Sequence, residues 1–492
     1  MIAAISISWF DIWNIAAPIL NALFIITVAF IIIVVILENK NPLRTISWLI
    51  VLLLLPVIGI IFYLYFGRSI RKRKSLSKKE KSDLEGIEAF TINQLGYVCQ
   101  KEFLQNSKIK SKANIMRLMH NNSKALLTQK NKVKVLNNGL NTYDSITCEL
   151  EKAQHHIHLE YYIFENDQIG NEIKEILIRK TLEGVKVRFI YDDIGSWDLD
   201  DEFIEELKNA GIEVYSFMPV KYYFLANRVN YRNHRKIIVI DGNIGFVGGL
   251  NIADKYLKGD DELGFWRDTH LRLEGDATKM LQTIFLIDWF FVSEKLIQDQ
   301  IYFPTTNITD DCYVQITSSG PDSDWASIMQ SYFSAITSAQ KNIYISMPYF
   351  LPNESILTAL KTASLSGVDV KIIIPQKADN FLITWGTHSY VEELLEAGIN
   401  IYFYKKGFIH SKIMIVDDIF SSVGTANMDI RSFDQNFEIN ALIYNENITS
   451  NLTNAFNKDL QDSEKINLEE FEHRAKLERI KESFAKLFSP LL

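Results

Sequence analysis

Apolar and polar positions divide this chain into two unlike parts. Near the amino terminus two uncharged runs follow one another, "APILNALFIITVAFIIIVVIL" from Ala17 to Leu37 and "ISWLIVLLLLPVIGIIFYLYF" from Ile46 to Phe66. Each is long enough, as a helix, to cross a hydrocarbon core of about 30 Å. Buried helices of that length in soluble proteins normally carry some charge. The pattern predicts a transmembrane helical hairpin over residues 1–67, with Pro56 tolerated as a kink. A signal peptide fits poorly, because the first sixteen residues hold no Lys or Arg and a second apolar run follows at once.

Beyond the hairpin the apolar runs shorten. Several are opened by Gly-Val or Gly-Ile after a helical stretch, the rhythm of β-α-β units. They also come in matched pairs. "HIHLEYYIF" (His156 to Phe164) parallels "NIYISMPYF" (Asn342 to Phe350), "EGVKVRFIYDD" (Glu183 to Asp193) parallels "SGVDVKIIIPQ" (Ser366 to Gln376), and "NAGIEVYSF" (Asn209 to Phe217) parallels "EAGINIYFY" (Glu396 to Tyr404). A duplicated α/β unit follows from this. The expected organisation is a basic cytoplasmic linker over 68–130, a first repeat over 131–300, a second over 301–450, and a carboxy-terminal amphipathic helix within 451–492. In that last segment Leu477, Ile480, Phe484, Leu487 and Phe488 fall near one helical face, and packing on the repeats is expected of it rather than on a membrane.

The strongest pair of matched segments carries the chemistry. "NHRKIIVIDGNIGFVGGLN" runs from Asn233 to Asn251, and "IHSKIMIVDDIFSSVGTAN" from Ile409 to Asn427 repeats its polar positions at the same spacing. His234, Lys236, Asp241, Gly248 and Asn251 match His410, Lys412, Asp417, Gly424 and Asn427. With 9 histidines, 52 basic and 60 acidic residues in 492, about 0.1 matches to His-x-Lys/Arg-x4-Asp/Glu are expected by chance. Lys236 to Ile240 reads as a buried strand and Asp241-Gly242 as a turn. Alternation along the strand puts His234 and Lys236 on one face. Two halves with one motif each suggest a pseudo-twofold pair facing a shared cleft.

Two histidines across a phosphodiester divide the labour. One attacks phosphorus and becomes a phosphohistidine, while the other protonates the leaving alcohol and deprotonates the incoming one. Lys236 and Lys412, with Asn251 and Asn427, can hold the non-bridging oxygens. Each histidine needs an acid to fix its tautomer. The candidates are Asp268 in "FWRDTHLRLEG" and Glu438 in "NFEINALIY", each in a strand-like run after its own motif. Asp241 and Asp417 lie beyond the strands and read as organisers of turns. His155, His156 and His158 lack metal spacing, and the aromatic run Phe285 to Val292 reads as packing. Two ammonium groups make a metal unnecessary, and no carboxylate cluster of magnesium type accompanies the motifs.

Composition adds little beyond exclusions. A net charge of −8 argues against a nucleic-acid partner. Cys99, Cys148 and Cys312 are scattered, which excludes a disulfide framework or structural zinc site and fits a reducing compartment. Charge does orient the hairpin. "RSIRKRKSLSKKEK" after the second run holds eight Lys or Arg against one Glu, whereas "ENKNPLRT" between the runs holds two against one. The excess places the rest of the chain in the cytoplasm and can hold anionic lipid heads.

With both motifs in place, the chain resembles the phospholipase D superfamily and, within it, the bacterial cardiolipin synthases. The resemblance extends to the paired amino-terminal helices ending "LLLLPVIGIIFYLYFGR", to "GGLNIADKYL" and "FWRDTHLRLEG", to "GTANMDIRSFDQNFEIN" and to the closing "FSPLL". It implies an α/β fold in which two phospholipase D-like repeats pack around a shared cleft, behind a transmembrane hairpin. It also implies a cell-membrane phosphatidyltransferase without cofactor, acting on phosphatidylglycerol and other anionic phospholipids. Carried over by position, the catalytic set is His234, Lys236 and Asp241 with His410, Lys412 and Asp417, His234 being the nucleophile. The same residues would serve a hydrolytic phospholipase D giving phosphatidic acid, or a phosphodiesterase acting on nucleic acid. Gly424-Thr425 in place of Gly248-Gly249 is the one departure between the motifs, and it reads as minor.

Overall fold

The computed structural model describes residues 107–219 and 231–488, together with parts of 17–59. The chain divides into two compact units, Met1–Ile70 with Tyr222–Asn230, and Arg71–Lys221 with Tyr231–Leu492. In the first, a helix runs Pro42–Leu54, starting ahead of the apolar run at Ile46. Proline suits that first turn, where its missing amide hydrogen has no intrahelical partner to lose. Leu52 is fully buried against Ile31, Trp48 and Leu49. Among the described residues no helix is long and apolar enough to cross a membrane. The carboxy-terminal end of the second apolar run and the whole basic stretch after it lie outside the described residues.

The second unit is built on one 15-stranded sheet, with two small two-stranded sheets beside it. The first half contributes β1 (Leu127–Asn137), β2 (His156–Tyr161), β3 (Lys186–Asp192), β4 (Glu213–Phe217), β5 (Ile237–Ile240), β6 (Ile244–Gly248), β7 (Phe265–Arg267) and β8 (Thr269–Gly275). The second half contributes β9 (Asp311–Ser319), β10 (Asn342–Ser346), β11 (Phe350–Leu351), β12 (Asp369–Pro375), β13 (Asn400–Tyr404), β14 (Gly407–Ile409), β15 (Ile413–Val416), β16 (Phe420–Gly424), β17 (Met428–Asp429), β18 (Glu438–Tyr444) and β19 (Ser463–Lys465). The small sheets are β7 with β14 and β11 with β17. In the large one, from β1 outward the order is β8, β6, β5, β2, β3, β4, and from its neighbour β9 it is β18, β16, β15, β10, β12, β13, with β19 at the edge. The two lists match strand for strand, so the duplication read from sequence is a duplication of topology.

Alternating side chains sort the core into layers. On one face Ile238, Ile240 and Phe246 join the first half's own cluster, while Met414, Val416 and Phe420 join the second half's. On the other face Ile237, Val239, Val247, Ile413, Ile415 and Val423 share a single cluster. The helices Asp276–Ser293 and Glu446–Gln461 cover that shared face with Leu281, Ile284, Leu452 and Phe456. The aromatic run from Phe285 is core packing, with Phe285 and Trp289 fully buried.

Two boundaries differ from the sequence reading. Residues 107–126 do not behave as a linker, since Ile109, Ile115, Met116 and Met119 lie in the second half's core. Lys112 of this segment is buried and donates to Asp417 Oδ2 at 2.8 Å. The carboxy-terminal stretch is also more than one helix. After Glu446–Gln461 come β19, a short helix Leu468–Glu472 and a last helix Lys476–Phe488.

Candidate active site

Each motif leads into its strand instead of lying within it. β5 opens at Ile237 and β15 at Ile413, so the histidine and lysine occupy the extended approach. The lysine turns back on its own backbone: Lys236 Nζ donates to His234 O at 2.8 Å, and Lys412 Nζ to His410 O at 2.6 Å. All four side chains are buried. Burial pushes the Lys236 ammonium down to about 7 and that of Lys412 to about 8, despite the nearby carboxylates. An ammonium whose hydrogen-bond acceptor among the described residues is a carbonyl, with carboxylates near but not bonded to it, is suited to an anionic ligand.

The acids are crossed between the halves. His234 Nδ1 lies 3.1 and 3.0 Å from the two carboxylate oxygens of Glu438, and His410 Nδ1 lies 2.7 Å from Asp268 Oδ2. Both candidate acids are thus at a histidine, each at the one from the opposite half. Backbone pairing puts them there. β7 and β14 pair in parallel, Asn233 bridges Phe437, His410 N donates to Arg267 O at 2.7 Å, and His234 N donates to Phe437 O at 2.9 Å. A carboxylate acceptor fixes the proton on Nδ1 and leaves Nε2 as the reactive nitrogen.

The two pairs are not equivalent. Glu438 also accepts from Thr425 Oγ1 at 2.5 Å and from Asn436 Nδ2 at 3.2 Å. Gly249 holds the matching position in the first half, where an added Cβ would stand 2.2 Å from Asp268 Oδ1. Asp268 has instead the amide of Thr269 at 2.7 Å. Burial pushes both acids up, but His234, Lys236 and Thr425 hold Glu438 below the usual glutamate range, while Asp268 settles at about 6. The Gly-to-Thr difference is therefore not minor, because Thr425 is a donor to the first histidine's acid. Burial pushes His234 down to about 4 against the pull of Glu438. Burial, then Lys412 and Lys236, hold His410 well below the ordinary imidazole range. Each half's lysine thus acts on the other half's histidine, which brings the motifs to one site.

Rings wall the histidines. Tyr162 meets His234 edge-on at 4.8 Å, and Trp266 and Tyr256 stand 5.5 and 5.7 Å from His410. Asn251 is buried, with Nδ2 donating to Tyr256 Oη at 2.6 Å and Oδ1 accepting from Ile163 N at 3.2 Å, so part of its capacity for phosphate is already used. Asn427 is buried too, and its Oδ1 has no hydrogen-bond partner among the described residues.

The motif aspartates stand apart from this site, at the far ends of β5 and β15, which corrects the catalytic assignment that the resemblance implies for them. Asp241 takes the amides of Gln154, His155 and His156 at 2.8, 2.8 and 2.9 Å. Asp417 takes those of Gln340 and Lys341 at 2.9 and 2.7 Å besides Lys112. Both have positive φ, 51° and 56°, a conformation that aspartate tolerates better than most residues. Each pins the start of β2 or β10 to the end of the motif strand. At roughly 3.3 Å per residue, neither reaches the cleft. His156 and His158 are likewise remote: both bond Gln282, and Arg188 Nη1 meets His158 Nε2 at 3.0 Å.

Known proteins resemble this chain over both halves. The family described as "Cardiolipin synthase, PLD-like domain" matches residues 146–289 and again 332–460, one match around each motif. A second family, "Phospholipase_D-nuclease N-terminal", matches residues 22–68. The cardiolipin synthase of Halalkalibacterium halodurans is 47% identical over 99% of this chain and 96% of its own. The major cardiolipin synthase ClsA of Bacillus subtilis is 42% identical over 97% of this chain and its own full length. In fold, a phosphatidylserine synthase of Haemophilus influenzae superposes with a TM-score of 0.60 at 14% identity, over 78% of this chain and all of that one. With two matches spanning both halves and near full-length relatives of this identity, the chain belongs to the cardiolipin synthase family of phospholipase D-like proteins.

Proposed function

We propose that the protein is a cardiolipin synthase that transfers the phosphatidyl group of one phosphatidylglycerol to the terminal hydroxyl of another, releasing glycerol. The observation that carries this is the pair of buried histidines, each held on Nδ1 by a carboxylate from the opposite half and each beside a buried ammonium. His234 Nε2 attacks phosphorus, the bond to the glycerol oxygen breaks, and His410 gives that oxygen its proton. His410 then takes the proton of the second phosphatidylglycerol's hydroxyl, whose oxygen displaces His234 from phosphorus. The firmer anion at Glu438 supports His234 as the nucleophile, since it offsets positive charge on the ring. In the free site His410 is held unprotonated by burial and the two lysines. A bound phosphodiester anion offsets those ammonium charges and restores its basicity. Lys236 and Lys412 stabilise the charge that builds on the non-bridging oxygens.

Transfer to a lipid, and not to water, needs the acceptor at high local concentration and a dry site. The apolar runs at 17–37 and 46–66 support a membrane hairpin that supplies the first, with the catalytic unit on the cytoplasmic side of the cell membrane. The aromatic walls supply the second. The test is to incubate purified protein with phosphatidylglycerol in mixed micelles and identify the products. Cardiolipin plus glycerol, reduced about 10³-fold or more in His234→Ala and His410→Ala, is the expected result. Phosphatidic acid plus glycerol would mean that the cleft accepts water.

A further inference from the structure

The last helix, Lys476–Phe488, is turned opposite to the usual sense of an amphipathic helix. Its buried positions are Glu482 and Ala485, while Leu477, Ile480 and Leu487 are 62%, 64% and 76% exposed. Normally the apolar stripe faces the core. The orientation is enforced by charge. Arg474 grips Glu482 through Nε and Nη2 at 3.0 and 2.8 Å and reaches Glu392 through Nη1 at 2.8 Å. Arg479 and Lys486 bond Glu392 and Glu393 at 3.2 and 3.0 Å. The polar side is therefore clamped inward, and the apolar stripe can only face out.

The helix Phe381–His388 beside it adds a further exposed apolar residue. The last helix packs on this one, where Lys481 Nζ stands 5.3 Å over the Trp385 ring and Phe381 is 62% exposed. Two residues before Phe381, Asp379 accepts the Tyr349 hydroxyl at 2.6 Å, and its charge acts on Lys412. Tyr349 and Ile383 each pack against the cores of both halves, which places this helix at their seam. Exposed Lys377 and Lys476 flank the apolar positions, an arrangement complementary to an anionic lipid surface.

We propose that Leu477, Ile480, Leu487 and Phe381 insert into the headgroup boundary of an anionic bilayer and hold the cleft mouth at the lipid surface, a second membrane contact besides the amino-terminal runs. The proposal rests on the phosphatidyltransfer reading for its purpose, though not for its detection. The full chain is placed in phosphatidylglycerol vesicles that carry a photoreactive group on the acyl chain, and crosslinked peptides are mapped. In parallel, L477S/I480S/L487S is compared with the unsubstituted chain on vesicle phosphatidylglycerol and on a short-chain phosphatidylglycerol dispersed as monomers. Crosslinks within 477–487, with turnover about tenfold lower on vesicles and unchanged on monomers, are expected. Turnover on monomers equal to that of the unsubstituted chain shows that the triple variant is folded. Crosslinks confined to the amino-terminal runs with equal turnover on vesicles would overturn the proposal. So would a detergent-solubilised dimer that the triple variant dissociates, which would make the stripe a contact between copies. Absence of cardiolipin from both substrates would sink the functional reading, while the crosslinks would still decide the docking.

Discussion

At the scale of single residues, the two histidines differ through their acids. Thr425 and Asn436 brace Glu438, whereas among the described residues Asp268 has the Thr269 amide besides His410. Glu438→Gln keeps the shape and removes the charge that orients and stabilises His234. It is expected to lower kcat by about 10²–10⁴-fold, as loss of an orienting carboxylate does elsewhere, and rapid-quench trapping should show slower phosphohistidine formation. Asp268→Asn should leave the burst largely intact only on a phosphatidyl ester of p-nitrophenol, whose leaving group needs no proton from His410, and on that donor should slow the turnover of the intermediate, because His410 deprotonates the acceptor. Equal loss of the burst in both variants would refute the division of labour. The lysines set the pH dependence. With ammoniums near 7 and 8 in the free site, each loses its charge as pH rises, so kcat/KM should fall above about pH 7. A bound phosphodiester anion favours the charged forms, and the basic limb of kcat should lie at higher pH than that of kcat/KM. Coincident limbs would show that the lysines do not meet the phosphate.

At the scale of elements, the strands were legible because β-branched runs after Gly-Val and Gly-Ile leave few alternatives, and the duplication was legible because both copies keep their order. What the sequence could not show is which acid meets which histidine. Asp268 and Glu438 each follow their own motif, and only the parallel pairing of β7 with β14 and the Asn233–Phe437 bridge exchange them. Thr425 was overlooked for a related reason: a Gly-to-Thr change between repeats has no meaning until its hydroxyl is seen against a carboxylate. Asp417 was legible as a turn former, but its partner Lys112 was not, since 305 positions separate them. Burial pushes the Asp417 carboxyl up, yet Lys112 and the amides of Lys341 and Gln340 hold it below the ordinary range. An acid depressed in the folded state stabilises above its unfolded value, near 3.9, and loses that contribution as pH falls through the folded value. Asp417→Asn should therefore cost about 1–3 kcal/mol at pH 7, a cost that shrinks in urea titrations as pH falls below the unfolded value and through the lower folded one. A cost that stays constant with pH would mean that the amides, not the charge, carry the contact.

At the scale of the catalytic unit, the two halves are not separable domains. β1 pairs with β9 as well as β8, one hydrophobic cluster runs beneath both motif strands, and each histidine borrows its acid from the other side. The chain preceding the first repeat extends this exchange. The helix Ala113–Ser123 buries Ile115, Met116 and Met119 in the second half, although the first half follows it directly in sequence. A truncation at residue 131, where composition alone draws the boundary, cuts β1 and strips those side chains from a core they help to fill. Emptying such sites costs about 2–5 kcal/mol for each large aliphatic residue, and three of them approach the whole stability of an ordinary domain. A chain begun at 131 should accumulate as aggregate, whereas one begun near 105 should be soluble in mild detergent and melt in a single transition. Differential scanning calorimetry of the longer chain gives the sharper result. One transition, with the calorimetric enthalpy equal to the van't Hoff value, is what a shared sheet and crossed acids require. Two resolved transitions would show that the halves fold independently, and the exchanged acids would then be a late docking event instead of part of one cooperative core.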